Sequence, residues 1–83
     1  MEYELTRHAR KAVEEREIPI EWIERVLDAP ARVEADRRDP NVEHRLAPIE
    51  EFGNRVLRVA INATSVPLRV VTVHFDRTRK GAL

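Results

Sequence analysis

The sequence contains no cysteine, which excludes a disulfide framework and any metal site built on thiolates. Its two glycines, Gly53 and Gly81, are too far apart for a phosphate-binding loop or a dinucleotide fingerprint. No apolar run approaches the ~20 residues that cross a bilayer. The first residues do not resemble the start of a signal peptide. We therefore expect a cytoplasmic protein that does not enter a membrane.

The charge of the chain is balanced overall but unevenly distributed. The 15 basic and 15 acidic side chains give a net charge of zero, so the molecule as a whole is not expected to attract nucleic acid. Residues 55–83, however, carry six bases and a single acid, a net charge of +5 (6 − 1). This basic C-terminal third predicts a surface that faces an anion.

Spacings of three and four residues predict two helices at the start of a single domain that spans 1–83. The first covers about 6–16, with Thr6 as its N-cap. Pro19 ends it, because a proline disfavours helical geometry in the residue before it. The second helix covers about 19–28 and starts at this proline, a residue suited to the first helical position.

From residue 31 the period of the apolar residues changes to two, which predicts strands. Four strands are expected, at about 32–38, 42–49, 55–62 and 68–77. Helices followed by strands with short turns favour an α+β fold. We expect two N-terminal helices packed on one face of a four-stranded antiparallel meander sheet. Residues 3–5 are a candidate for a further short strand.

Alternation along the strands divides their side chains between two faces. Arg58 and His74 are predicted on the face turned away from the helices. On the strand over 42–49 we take the side of Leu46 to be the core side, which leaves Arg45 on this second face. The face expected to pack against the helices carries Leu57, Val59, Ile61, Val71, Val73 and Phe75.

Arg45, Arg58 and His74 together form a candidate site on the second face. Arginines on neighbouring strands can bind a phosphodiester and stabilise the charge that develops at phosphorus. A histidine beside them could exchange protons with the attacking hydroxyl and the leaving oxygen. The alternative is a solvated sheet face with weak cross-strand charge pairs. The histidines lack the paired spacing typical of a metal site, so neither a metal nor another cofactor is expected.

His8 and Arg16 lie within the apolar stripe of the first helix and have two interpretations. In the structural one, His8 is a partly buried hydrogen-bonding anchor, and Arg16 pairs with an acid or carbonyl or extends its head to water. In the functional one, His8 is a general acid or base near neutral pH. Arg16 would then hold a phosphate through its planar guanidinium.

Three short motifs occur in an order that resembles an uncharacterised bacterial domain family, over about 3–77. They are Thr-x-His-Ala at residues 6–9, Glu-Arg-x-Ile at 15–18 and Val-Val-Thr-Val at 70–73. The family is grouped with the RelE/ParE-like toxins, which implies two N-terminal helices against an antiparallel sheet. The positions that match the family pattern are His8, Ala9, Arg16, Arg58 and Thr72.

The resemblance implies metal-independent cleavage of RNA, or a toxin role opposed by an antitoxin. In this hypothesis Arg45 and Arg58 hold the scissile phosphate while His74 or His8 exchanges protons. Its partners would be RNA or the ribosome, and an antitoxin. The alternative is a non-catalytic domain that binds a protein or forms a homodimer through the strand over 32–38. Further contacts to RNA are expected from Thr72, Arg77, Arg79 and Lys80.

Overall fold

The computed structural model describes residues 2–83 and places two helices on one face of a five-stranded mixed sheet. The helices are α1 (Arg7–Glu15) and α2 (Ile20–Asp28). The strands are β1 (Tyr3–Leu5), β2 (Arg32–Ala35), β3 (Val42–Ile49), β4 (Arg55–Asn62) and β5 (Leu68–Asp76). Short 3-10 helices follow β3 and β5, at Glu50–Phe52 and Arg77–Arg79. No helix within residues 2–83 is long and apolar enough to cross a membrane.

The expected four-stranded antiparallel meander is wrong, because the sheet has a fifth strand and one parallel pair. Its strand order is β1-β5-β4-β3-β2. The last four strands pair antiparallel in chain order, whereas β1 pairs parallel with β5, from Tyr3 opposite Leu68 to Leu5 opposite Val70. A three-residue strand offers too little alternation to fix its partner, and this partner lies 65 residues away in sequence. Local pattern therefore could not reveal the pairing.

Both helices form where their apolar residues can be buried against the sheet. In α1 the buried side chains are Ala9, Ala12 and Val13, and in α2 they are Ile23, Val26 and Leu27. The chain leaves α1 through Glu17, whose φ of 52° is left-handed and stops the helix. Pro19 is the N-cap of α2 rather than its first helical residue.

Thr6 joins the start of α1 to the sheet. Its hydroxyl oxygen accepts a hydrogen bond from the Ala9 amide at 3.1 Å, and the hydroxyl donates to the Val71 carbonyl at 3.3 Å. We expect Thr6→Ala to lower the free energy of unfolding by about 1 kcal/mol, since both bonds are lost. Urea denaturation measures this change, and Thr6→Ser is the matched control because it keeps the hydroxyl. Equal stability of the alanine and serine variants would contradict the capping role.

The helix-facing side of the sheet carries the main core, with one exception to the expected set. The pairs Ala60–Thr72 and Ile61–Val70 leave Val71 without a partner on β4, which is a β-bulge. The bulge shifts the alternation by one residue. Val70 is therefore fully buried in the core, and the placement of Val71 there is wrong.

Arg45 lies on the helix side of β3, not on the second face, so that prediction is also wrong. The register places it opposite Val59, and Leu46 opposite Arg58. Its guanidinium donates to the Leu27 carbonyl and to the Glu43 carboxylate, each at 2.8 Å. Alternation alone could not identify the core side of β3, because the second face of the sheet also buries apolar residues. Those residues are Leu46, Val56 and Ala60.

Two strands end earlier than expected because an aspartate side chain turns the backbone. β2 stops at Ala35, where the Asp36 carboxylate accepts from the amides of Arg38 and Asp39, each at 3.0 Å. β5 stops at Asp76, whose carboxylate accepts from the Thr78 amide at 3.0 Å. Such side-chain bonds compete with the strand ladder and favour turns. The second turn folds the C-terminal residues back against the sheet.

Candidate functional site

A cavity of about 700 Å³ opens beside the end of β5, on the part of that strand that β1 does not pair with. The residue after α1, the 3-10 helix before β4, the start of β4 and the C-terminal turn all contribute to it. Its lining residues are Arg16, Phe52, Arg55, His74, Phe75, Asp76, Arg77 and Lys80.

Four cationic side chains line the cavity, namely Arg16, Arg55, Arg77 and Lys80. Within residues 2–83, none of its four cationic side chains takes part in an ion pair. Arg16 donates a long bond of 3.5 Å to the Val73 carbonyl, and the guanidinium carbon of Arg55 lies 4.7 Å from the centre of the Phe52 ring. Arg77 and Lys80 are exposed. Unpaired cations around a concave surface favour the binding of an anion.

Asp76 lines the cavity, but its carboxylate already forms an ion pair with Arg58. The Nε and one terminal nitrogen of Arg58 donate to the same Asp76 oxygen, at 3.1 and 2.7 Å. Hydrogen bonds from the Thr78 hydroxyl and from Arg58 lower the pKa of Asp76 to about 2. Arg58 also lies 3.7 Å from Glu34, and its side chain is only 15% exposed. Its guanidinium is therefore committed within the fold.

His74 is the titratable group of the cavity that can accept a proton near pH 7. It lies on β5 opposite Arg58 and is partly buried. Burial lowers the pKa of His74 below its usual 6.5, and the positive charges of Arg58 and Arg16 lower it further. The negative charge of Asp76 acts in the opposite direction and raises this pKa. The imidazole is therefore neutral at pH 7, the state that a general base requires.

Two rings of an aromatic cluster, Phe52 and Phe75, line the cavity beside the cations. Phe52 lies 5.0 Å from Phe75 and 5.6 Å from Trp22, measured between ring centres. Phe52 remains 40% exposed, although Trp22 and Phe75 pack against the core. An exposed ring beside cations is suited to a ligand that has both a flat apolar part and a negative charge.

A second cluster, on the face of the sheet away from the helices, consists mainly of paired charges. Arg79 reaches across the sheet to Glu34 on β2 with two hydrogen bonds, of 2.7 and 3.0 Å. The Nε2 of His44 lies 2.7 Å from the Asp36 carboxylate. That hydrogen bond and two backbone amides lower the pKa of Asp36. Residues 2–83 contain no group of three histidines or carboxylates placed to hold a metal ion. The cluster ties the C-terminal turn to the edge strand.

The predicted site residues are only partly brought together. His8 is exposed on α1 and lines none of the cavities. Arg45 packs under α2, while Arg58, Thr72 and Arg79 lie on or over the second face. The residues that do converge on the cavity are Arg16, His74, Arg77 and Lys80.

Sequence reasoning missed four residues that line the cavity, namely Phe52, Arg55, Phe75 and Asp76. Phe52 lies in a segment interpreted only as a turn, and Phe75 was assigned to the core. Arg55 was counted within the basic C-terminal third, which was the one signal available for it. No local motif joins these residues, because the cavity is made by the turn before β4 meeting the end of β5.

Comparisons with known proteins give a family but no characterised relative. Neither the curated proteins nor the solved structures contain a match to the chain. The model of a family described as a domain of unknown function, DUF4258, matches residues 5–75. This span takes in both helices and all of β2, β3 and β4, and it ends one residue before β5 does. The chain therefore belongs to the DUF4258 family.

Proposed function

We propose that the chain binds RNA in the cavity at the end of β5 and cleaves the phosphodiester backbone without a metal. One observation carries the proposal, namely four cations that form no ion pair within residues 2–83 around a partly buried imidazole whose pKa is lowered. The cations are matched to a phosphodiester by charge, and the imidazole can accept a proton from a hydroxyl. Both are needed for cleavage of RNA by its own 2′-hydroxyl.

The cations have two tasks in this mechanism. Arg16, which follows α1, and Arg55, at the start of β4, hold the nonbridging phosphate oxygens through their planar guanidinium groups. Arg77 and Lys80 contact the neighbouring phosphates. As the attacking oxygen bonds to phosphorus, negative charge grows on the nonbridging oxygens, and fixed cations stabilise that charge.

His74 moves the proton in the proposed reaction. Its neutral imidazole takes the proton of the 2′-hydroxyl while the 2′-oxygen forms a bond to the adjacent phosphorus. The bond from phosphorus to the 5′-oxygen breaks, and the imidazolium returns its proton to that oxygen. The products are a 2′,3′-cyclic phosphate and a 5′-hydroxyl. No proton or electron is left over, so no further reactant is needed.

The exposed ring of Phe52 favours an unpaired nucleobase as the neighbour of the bound phosphate. Base stacking on an aromatic side chain contributes about 1–3 kcal/mol per base and does not depend on sequence. A base within a duplex is already stacked on both sides, so this contribution favours single-stranded RNA. The resemblance of the sequence motifs to RelE/ParE-like toxins also supports an RNA substrate, free or on the ribosome, with an antitoxin as protein partner.

The direct test is incubation of the purified chain with end-labelled single-stranded RNA, free and on ribosomes, in the presence of a chelator. We expect fragments that end in a 2′,3′-cyclic phosphate. A preparation that binds RNA without cutting it would remove the catalytic part of the proposal. A preparation that does neither would leave the non-catalytic protein-interaction domain as the surviving alternative.

Charge reversal in the cavity should weaken RNA binding. We expect Arg77→Glu to lower the affinity for single-stranded RNA by about tenfold and to reduce the slope of log affinity against log salt by about 0.7, because one phosphate contact is lost. Fluorescence anisotropy over a series of salt concentrations measures both. Arg7→Glu is the matched control, since Arg7 is an exposed arginine outside the cavity and takes part in no ion pair with residues 2–83. Equal losses in the two variants would indicate binding by overall charge instead of binding at the cavity.

A further inference from the structure

The outer edge of the sheet at β2 is an open strand edge. Among residues 2–83, only β3 pairs with β2. The Asp36 amide donates to the Val42 carbonyl at 3.1 Å, which continues the register of the two strands by one residue. Backbone groups alternate in direction along a strand, so those of Val33 and Ala35 point away from β3. They are free to pair with another strand.

The side chains of β2 form two rows of different character. Val33 and Ala35 lie on the helix side, where α1 packs on β5 and α2 packs on β3 and β4. Neither helix covers β2, and Val33 is 53% exposed as a result. Arg32 and Glu34 lie on the opposite side of the strand. The edge is short and carries the charges of Arg32 and Glu34, but β2 itself contains no lysine or proline.

We infer that β2 pairs antiparallel with β2 of a second copy of this chain, with Val33 opposite Val33. This register is self-complementary. On the helix side, valine meets valine. On the other side, Arg32 meets Glu34 of the second copy in both directions. Glu34 keeps its two hydrogen bonds from Arg79, and Arg32 adds an opposite charge across the strand pair. A parallel pairing in register would instead place Arg32 against Arg32.

The pairing also gives hydrogen-bond partners to the outward backbone groups of Val33. The outward amide and carbonyl of Val33 exchange two hydrogen bonds with the same groups of the second copy. The two five-stranded sheets then become one continuous sheet, in which both β2 edges are paired. Four residues a side bury less surface than a standard stable interface, so we expect a weak, concentration-dependent dimer.

A single cysteine tests the register. Opposed residues of a hydrogen-bonded antiparallel pair have Cα atoms about 5.5 Å apart, which a disulfide can span. The chain has no other cysteine, so Val33→Cys can cross-link only through this position. We expect it to form covalent dimers at least about tenfold faster than Val66→Cys, because pairing raises the local thiol concentration. Val66 is the matched control, as an exposed valine in the loop between β4 and β5.

Sedimentation equilibrium of the unmodified chain gives the second readout. The mass should rise from 9.7 kDa toward twice that value as concentration increases. Val33→Glu should weaken the dimer by about tenfold, because two like charges then face each other, and Val66→Glu should not. A chain that stays monomeric at every concentration would overturn the inference. Equal cross-linking of the two cysteine variants would overturn it as well.

Discussion

Replacing His74 by glutamine should lower the rate of RNA cleavage by roughly 100-fold or more and leave RNA affinity nearly unchanged. The amide of glutamine fills similar space and forms hydrogen bonds, but it cannot accept the proton of the 2′-hydroxyl. The four cations that hold the phosphate remain in place. Single-turnover cleavage and anisotropy on the same RNA separate the two effects.

His8 provides the discriminating control for this prediction. It is the other histidine that the sequence offered for acid–base chemistry, yet it is exposed on α1 and lines no cavity. His8→Gln should therefore cleave at close to the unmodified rate. A large loss of cleavage rate in His8→Gln, with His74→Gln still active, would assign the proton transfer to His8 on the surface of α1 instead of to the cavity.

The pH dependence of cleavage follows from the same histidine. Burial lowers the pKa of His74 below 6.5, so the neutral base predominates at pH 7 and is lost as the pH falls through that lowered value. The main decline of the rate should accordingly lie on the acid side of pH 6.5. A rate that already falls between pH 8 and pH 7, as for a base with a raised pKa, would contradict the assignment.

Removing the carboxylate of Asp76 should have the largest effect on stability, with a loss of about 2 kcal/mol in the free energy of unfolding. Arg58 would then be left with only the more distant Glu34, while its side chain stays 15% exposed. The carboxylate also accepts from the Thr78 amide, so the C-terminal turn loses its cap. Urea denaturation of Asp76→Ala measures the change.

The double variant Asp76→Ala/Arg58→Met identifies the cause of that loss. Methionine can occupy the space of the arginine stem without a charge, so it should recover part of the stability. If the double variant is less stable than Asp76→Ala by the cost of a second independent mutation, the unpaired arginine is not the cause.

The contribution of the Asp76–Arg58 ion pair to the free energy of unfolding should also disappear in acid. The pKa of Asp76 is lowered from 3.8 to about 2, so its stabilising contribution is present above pH 3.8 and is lost as the pH falls toward 2. The difference in unfolding free energy between the unmodified chain and Asp76→Ala should therefore narrow over that range. A difference that stays constant from neutral pH to pH 2 would show that the carboxylate charge contributes nothing.

The sequence indicated those parts of the fold that depend on local pattern. The alternation over 42–49 and 55–62 marks the long central strands, and Thr6 marks the start of α1. Pairing between distant segments was not readable in the same way. The parallel contact of Tyr3–Leu5 with β5 closes a long loop, and neither segment encodes its partner.

The errors in face assignment have specific physical causes. A bulge at Val71 shifts the alternation of β5, and a bulge leaves little trace in composition. Arg45 was misplaced because Leu46 on the second face is as deeply buried as a core residue. The basic C-terminal third did point to Arg77 and Lys80. It could not show that Asp76 pairs with Arg58, or that Arg16 and Arg55 join Arg77 as cavity arginines outside every ion pair of residues 2–83.

The most direct test of the account is a titration of a short single-stranded RNA into isotopically labelled protein, followed by amide and histidine side-chain NMR. If RNA binds in the cavity, the largest saturable shifts should lie at Arg16, Phe52, Arg55 and the run from His74 to Lys80. Resonances of α2 and β2 should shift less, and only where they adjoin these residues, as Trp22 does at Phe52 and Glu34 at Arg79. An absence of shifts at saturating RNA, or shifts centred on α2 or β2 with the cavity unchanged, would contradict the central claim.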